Sequence, residues 1–221
     1  MKLQKIFPLL IIFVIISFYE LNIAQIKTLD DFENSISWNK FKADGVTLNI
    51  SCDAGLNGKA IRFDYDFTKG TGYGGIQKFF PIDLPENFEF TFYVKAESPS
   101  NNFEIKFIDS TGNNVWWVNN RNYDFPTEWK KIKIKKRHIQ FAWGPTEDQS
   151  LKRIDRIEFT IASHLGGKGT IWIDDLNFEP LPPETNIYPQ PLVTAKSQSF
   201  DLIPANIIDT SLETYWKSIG I

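Results

Sequence analysis

Apolar and polar residues alternate with a period of two through most of the chain between residues 26 and 180. That period predicts strands with one face buried and one face wet. Ile61, Phe63, Tyr65 and Phe67 alternate with Arg62, Asp64 and Asp66. Phe88, Phe90, Phe92 and Val94 alternate with Glu89, Thr91, Tyr93 and Lys95. Phe103, Ile105 and Phe107 repeat the pattern, as do Ile132 with Ile134, and Ile157, Phe159 and Ile161. Gly- and Pro-bearing stretches at 70–75, 81–85, 98–102 and 166–169 punctuate these runs and predict turns. No stretch sustains a 3.6-residue apolar period; residues 146–154 have room for one short helix at most. Many short alternating strands with regular turns predict an all-β protein: an antiparallel β-sandwich, with the jelly roll as the favoured version.

The run at 115–123 is the most informative. Asp109, Ser110, Thr111, Gly112, Asn113 and Asn114 form a turn, because Gly tolerates positive φ and Asn and Asp bond their own backbone. The strand that follows puts Trp116 and Val118 on one face. Trp117, Asn119, Arg121 and Tyr123 then fall on the other. An indole, an amide, a guanidinium and a phenol in a row suit a sugar, offering a flat apolar ring and planar donors and acceptors. The same residues also suit an ordinary half-exposed strand. Tyr73 in the glycine-rich stretch 69–75, and Trp143 before Gly144-Pro145, are further candidates for a carbohydrate-binding surface. The 69–75 stretch lacks the order of a phosphate loop and no helix follows it.

The chain opens with Lys2, Lys5 and an apolar run at 6–18, followed by Ala24. This predicts an export signal over residues 1–25, with an uncleaved N-terminal anchor as the alternative. The mature chain is therefore expected to be secreted, periplasmic or on the cell surface, with no membrane span once the signal is removed. Five prolines between 180 and 191 predict an extended linker over 181–191. Residues 192–221 are too few to bury a core of their own.

Composition narrows the picture further. The 221 residues carry a formal net charge of -3, with both signs interspersed, which argues against nucleic acid as a partner. Cys52 stands alone, so no intrachain disulfide can form. His138 and His164 show no metal-ligand spacing. The basic stretch at 130–137 reads either as contact with an acidic polysaccharide or as outward lysines protecting an edge strand. No pair of carboxylates and no nucleophile stands out as catalytic.

Three short motifs carry a resemblance. Asp30-Asp31-Phe32-Glu33 opens the region, Gly58-Lys59-Ala60-Ile61-Arg62-Phe63 makes an early strand, and Ile171-Trp172-Ile173-Asp174-Asp175-Leu176 closes it. Residues 26–180 resemble the galactose-binding-like jelly rolls that serve as carbohydrate-binding modules in bacterial glycosidases, of the family 11 type. Ala205, Asp209, Thr214 and Trp216 are similar to the opening of a discoidin (coagulation factor 5/8 type C) domain, incomplete here. The resemblance implies non-catalytic polysaccharide binding by a monomeric module, as an accessory part of a larger glycoside hydrolase. It also implies a structural calcium between first and last strands. Glu33, Asp174 and Asp31 would give side chains, and Asn57 and Lys59 carbonyls, a donor set of the oxygen-rich kind that calcium takes. Two other readings remain open: a small secreted jelly-roll glycanase or lyase, and an adhesion module that binds protein.

Overall fold

The computed structural model describes residues 26–184, together with Thr194, Ala195, Ser197, Trp216 and Lys217. The expected export signal, most of the linker and the discoidin-like segment lie outside the described residues. By its contacts the chain divides into two units, Met1–Pro182 and Pro183–Ile221, and the sandwich lies in the first.

Twelve strands are described: β1 (Lys27–Asp30), β2 (Asn39–Lys42), β3 (Thr47–Ala54), β4 (Lys59–Asp66), β5 (Tyr73–Asp83), β6 (Asn87–Glu97), β7 (Asn101–Ile108), β8 (Val115–Tyr123), β9 (Lys130–Lys135), β10 (Gln140–Trp143), β11 (Arg153–Ala162) and β12 (Lys168–Leu181). They form two antiparallel sheets. The first runs β3-β4-β12-β6-β9, with β1 pairing onto β12; the second runs β10-β8-β7-β11-β5-β2. One turn of 3-10 helix at Lys136–His138 is the helical element among the described residues. Residues 146–152 form a loop that runs into β11, without the short helix for which the sequence left room. No described helix is long and apolar enough to cross a membrane.

The alternation seen in sequence builds the core. Phe88, Phe90, Phe92 and Val94 of β6 are all buried, and Phe90 and Phe92 meet Phe103, Phe107 and Phe159 of the facing sheet with ring centroids 4.9–6.3 Å apart. Each such buried side chain contributes about 1.5–3 kcal/mol of hydrophobic stabilisation. Edge-to-face and offset geometry adds to that. Strand β9 is the outer edge of its sheet. Ile134 is buried and Ile132 packs on the core, while the lysines between them point outward. The basic stretch is thus a charged edge strand that discourages pairing with another chain.

Bulges break the period of two where sequence reading falters. In β12 the register with β6 shifts between Asp174 and Asn177, and Asp175 takes φ 51°. Ile171 and Ile173 face inward before the shift, Leu176 and Phe178 after it. One extra residue therefore restores apolar residues to the core side. In β8 the register with β7 shifts between the partners of Asn101 and Phe103, and Asn122 takes φ 50°.

Candidate binding face

The β8 bulge changes the predicted site. Trp116 is buried, 6% exposed, and Val118 packs on the core, so Trp117 and Asn119 lie on the outer face as expected. Arg121 is exposed. Tyr123 is not on their face. The extra residue at Asn122 turns it inward, against Phe103 at 5.8 Å and Phe125 at 5.0 Å. Its hydroxyl is buried with no hydrogen-bond partner among the described residues, and burial raises its pKa above the ordinary tyrosine value. A regular strand would have kept Trp117 and Tyr123 together; the bulge separates them.

Trp143 joins Trp117. Gln140 of β10 pairs with Trp117 and Trp143 pairs with Val115, so the two indoles share the outer face. They contact edge to face, with centroids 5.4 Å apart and planes at 86°. Local chemistry holds this corner in place. Asp109 accepts hydrogen bonds from Thr111 Oγ1 at 2.8 Å and from Asn114 Nδ2 at 2.7 Å. Asn114 Oδ1 in turn accepts from the Thr146 amide at 2.9 Å. A side chain at Gly144 would collide with that same Oδ1, so glycine is required there. Trp116 Nε1 donates to the Gln149 carbonyl at 2.6 Å and pins the other limb of the loop. Trp143 thus sits on a braced strand end and is 48% exposed.

Tyr73 lies across the same face. It starts β5, three strand positions from β8, which at the usual spacing is about 14 Å. It is 45% exposed and contacts Phe41 of β2, ring to ring at 6.1 Å. Gly75 makes room for this pair, since a side chain there would meet the Phe41 ring. The result is an aromatic pair at each side of the sheet. Phe79, 67% exposed, adds a third apolar position on β5.

Between the aromatic pairs lies a polar floor that sequence reading took for ordinary strand exterior. Glu104 and Lys106 of β7 form an ion pair at 2.9 Å. Arg156 Nε and Glu158 Oε1 of β11 lie 3.1 Å apart as an ion pair without the alignment of a hydrogen bond. Lys106 Nζ also reaches Thr160 Oγ1 at 3.4 Å and lies 5.9 Å from the Trp143 ring. Glu158 is 8% exposed and Thr160 is buried. Burial raises the Glu158 pKa, and Arg156 and Lys106 partly offset it. Charges on the floor thus occur as cancelling pairs. Asn119 Oδ1, across from Glu104, is buried without a hydrogen-bond partner among the described residues. The arrangement can stack flat rings on its margins and exchange hydrogen bonds at its centre. In the sequence these floor residues gave no separate signal, because they occupy the polar positions of strands.

The residues named for calcium do converge. Asp174, fully buried, accepts hydrogen bonds from the amides of Leu56 at 2.7 Å, Asn57 at 3.2 Å and Asp175 at 2.8 Å. Glu33 Oε1 accepts from the Lys59 amide at 2.9 Å, and Asn57 Nδ2 donates to Asp175 at 2.9 Å. Asp31 Oδ1 accepts from the Glu33 amide at 3.3 Å. The carboxylates of Glu33 and Asp174 therefore grip the turn at 55–59 from opposite ends of the sandwich sequence. Gly55 and Gly58 leave the room, since side chains there would strike Asp174 and Glu33. Asn57 and Lys59 meet these carboxylates through N–H groups. Among the described residues, no group of three or more His, Cys, Asp or Glu side chains is placed to hold a metal ion. In this arrangement the Glu33 and Asp174 carboxylates act as acceptors for backbone amides of the turn and of β12.

No family model matches the chain. Endoglucanase H of Acetivibrio thermocellus is 27% identical over 156 residues, which are 64% of this chain and 17% of that protein. The match thus spans about a sixth of that relative. Among solved structures, the fold is similar to a family 11 carbohydrate-binding module of a cellulosomal cellulase of Clostridium thermocellum. The TM-score is 0.58 at 20% identity, covering 74% of this chain and 98% of the module. The Clostridium thermocellum module in complex with a β-1,3-1,4-mixed-linked tetrasaccharide gives 0.57 at 20% identity, covering 72% and 98%. An exo-β-agarase gives 0.51 at 19% identity, with 26% of its length covered. The all-β fold, two antiparallel sheets packed as in the family 11 modules, is thereby established.

Proposed function

We propose that the sandwich is a non-catalytic carbohydrate-binding module that takes a neutral β-glucan on the outer face of the β10-β8-β7-β11-β5-β2 sheet. The observation that carries this is the pairing of aromatic margins with a charge-balanced floor. Trp117 and Trp143 stand on one side, Tyr73 and Phe41 on the other. Glu104–Lys106 and Arg156–Glu158 between them cancel. Sugar rings present apolar C–H faces to indoles, while hydroxyls replace water on amides and ion-paired groups. The similar module with a bound mixed-linked tetrasaccharide supports the choice of probe. Arg121 and Asn119 extend the polar contacts along β8. The two floor glutamates are each held by a cation, which favours binding over acid–base work. Export, and attachment to a glycoside hydrolase as in the larger relative, complete the proposal.

The test is affinity electrophoresis of the whole chain through gels containing mixed-linked β-glucan, mannan or an acidic polysaccharide. Retardation by the β-glucan, without breakdown of the polymer, is expected. Migration unchanged in every gel overturns the reading, and turnover of the polymer replaces it with an enzyme.

Calcium at the 55–59 turn belongs to the same proposal. Glu33 and Asp174 would hold it, with Asp31 alongside, and its role would be to tie the first and last strands together. What supports it is the approach of both carboxylates to one turn.

A further inference from the structure

The chain holds a single Asn-Gly step, Asn57-Gly58, and it lies in the turn that Glu33 and Asp174 grip. Asparagine before glycine is chemically labile, because glycine has no Cβ to hinder attack of its backbone nitrogen on the preceding side chain. The fold itself imposes this pair. Gly58 takes φ 73°, and a Cβ there would strike the Glu33 carboxylate, so glycine is required. Asn57 is held as well. Its Nδ2 donates to Asp175 Oδ2 at 2.9 Å, and its amide donates to Asp174 Oδ2 at 3.2 Å.

The reacting groups nevertheless stay open to water. Asn57 and Gly58 are both exposed. The Gly55 amide closes the turn by donating to the Gly58 carbonyl at 3.0 Å. The amides of Leu56 and Asn57 go to Asp174, and the Lys59 amide goes to Glu33. None of these bonds engages the Gly58 N–H, whose nitrogen is the one that must attack. The hydrogen bonds that hold the turn thus leave the nucleophile free.

We propose that Asn57 deamidates spontaneously in the folded protein, and that this loosens the turn from β12. The Gly58 nitrogen gives up its proton to solvent and forms a bond to Asn57 Cγ, closing a succinimide ring. The Cγ–Nδ2 bond breaks, and ammonia leaves with a proton from water. Water then opens the ring at either carbonyl, giving aspartate or isoaspartate. Either product replaces the amide that donated to Asp175 with a carboxylate, which cannot donate and repels Asp175. Isoaspartate also adds a backbone carbon within the turn, where the amides of Leu56 and Asn57 must reach one Asp174 oxygen. Asp174 is fully buried, so losing those donors is costly. The inference concerns this turn alone and does not depend on the glycan reading.

The experiment ages the whole chain in mildly alkaline buffer, with chelator present so that no ion contributes. Peptide mass spectrometry follows each asparagine, and isoaspartyl methyltransferase labelling follows isoaspartate. In the native chain Asn57 is expected to convert at least about tenfold faster than any other asparagine, since every other one precedes a residue with a Cβ or a proline-free bulkier neighbour. It should convert about as fast as in the chain unfolded in urea. The melting temperature should fall in step with the conversion, and Asn57→Ser should age without that fall. An Asn57 that survives in the native chain while converting in urea overturns the proposal. So does aged protein that melts as fresh protein does, or an Asn57→Ser protein that loses melting temperature equally on ageing.

Discussion

Two adjacent tryptophans divide the labour between core and surface. Trp116 is buried and bonded to the Gln149 carbonyl, whereas Trp117 faces outward against Trp143. Trp116→Ala therefore leaves a cavity and an unpartnered carbonyl, and should lower stability by about 3–5 kcal/mol in urea unfolding. Trp117→Ala should cost a small part of that. Asp66 offers a second residue-scale prediction. Its carboxyl is held at about 2, chiefly by the Thr68 hydroxyl and amide, with Lys168 adding to this. A depressed carboxyl stabilises the fold above its unfolded value, near 3.8, and loses that contribution as pH falls through the folded value. Thermal unfolding from pH 5 to pH 2 should therefore show a shallower decline for Asp66→Asn than for the parent. Parallel curves would remove Asp66 from the acid response.

Elements were legible wherever the period of two ran unbroken. Strands β4, β6, β7 and β11 lie where Phe and Ile alternate with charged residues, and the lysines of β9 mark its edge position. What stayed hidden depends on single extra residues. The bulge at Asn122 moves Tyr123 from the outer face to the interior, and no local signal distinguishes that Asn from its neighbours Asn119 and Asn120. The register shift between Asp174 and Asn177 in β12 is a bulge of the same kind. Half of the binding face was equally silent. Glu104, Lys106, Glu158 and Thr160 sit on polar strand positions, and alternation cannot tell a floor from open surface. Phe41 gave no hint either, because β2 is only four residues long. The left-handed conformation at Asn122 makes a prediction at this scale. Asn122→Gly should be neutral or slightly stabilising, while Asn122→Ile should cost about 1–2 kcal/mol by denaturant titration. Equal stability of the two variants would mean that β8 does not need the bulge.

For the molecule as a whole, the first and last strands lie side by side, and Glu33 in the loop after β1 and Asp174 of β12 each send a carboxylate to the 55–59 turn. An ion held there only in the folded state would stabilise by mass action. Excess chelator should lower the melting temperature of the parent, and Asp174→Asn should abolish that response. An unchanged melting curve with chelator would leave the amide hydrogen bonds as the whole of this connection.

The central claim is that the outer face of the β10-β8-β7-β11-β5-β2 sheet binds glycan through the Trp117–Trp143 corner. Calorimetric titration of the whole chain with a β-1,3-1,4-mixed-linked tetrasaccharide tests it most directly. The parent should bind, and Trp117→Ala should lose at least about tenfold in affinity, some 1.4 kcal/mol, while keeping a cooperative unfolding transition. A Trp117→Ala protein that binds the tetrasaccharide as tightly as the parent would contradict the account.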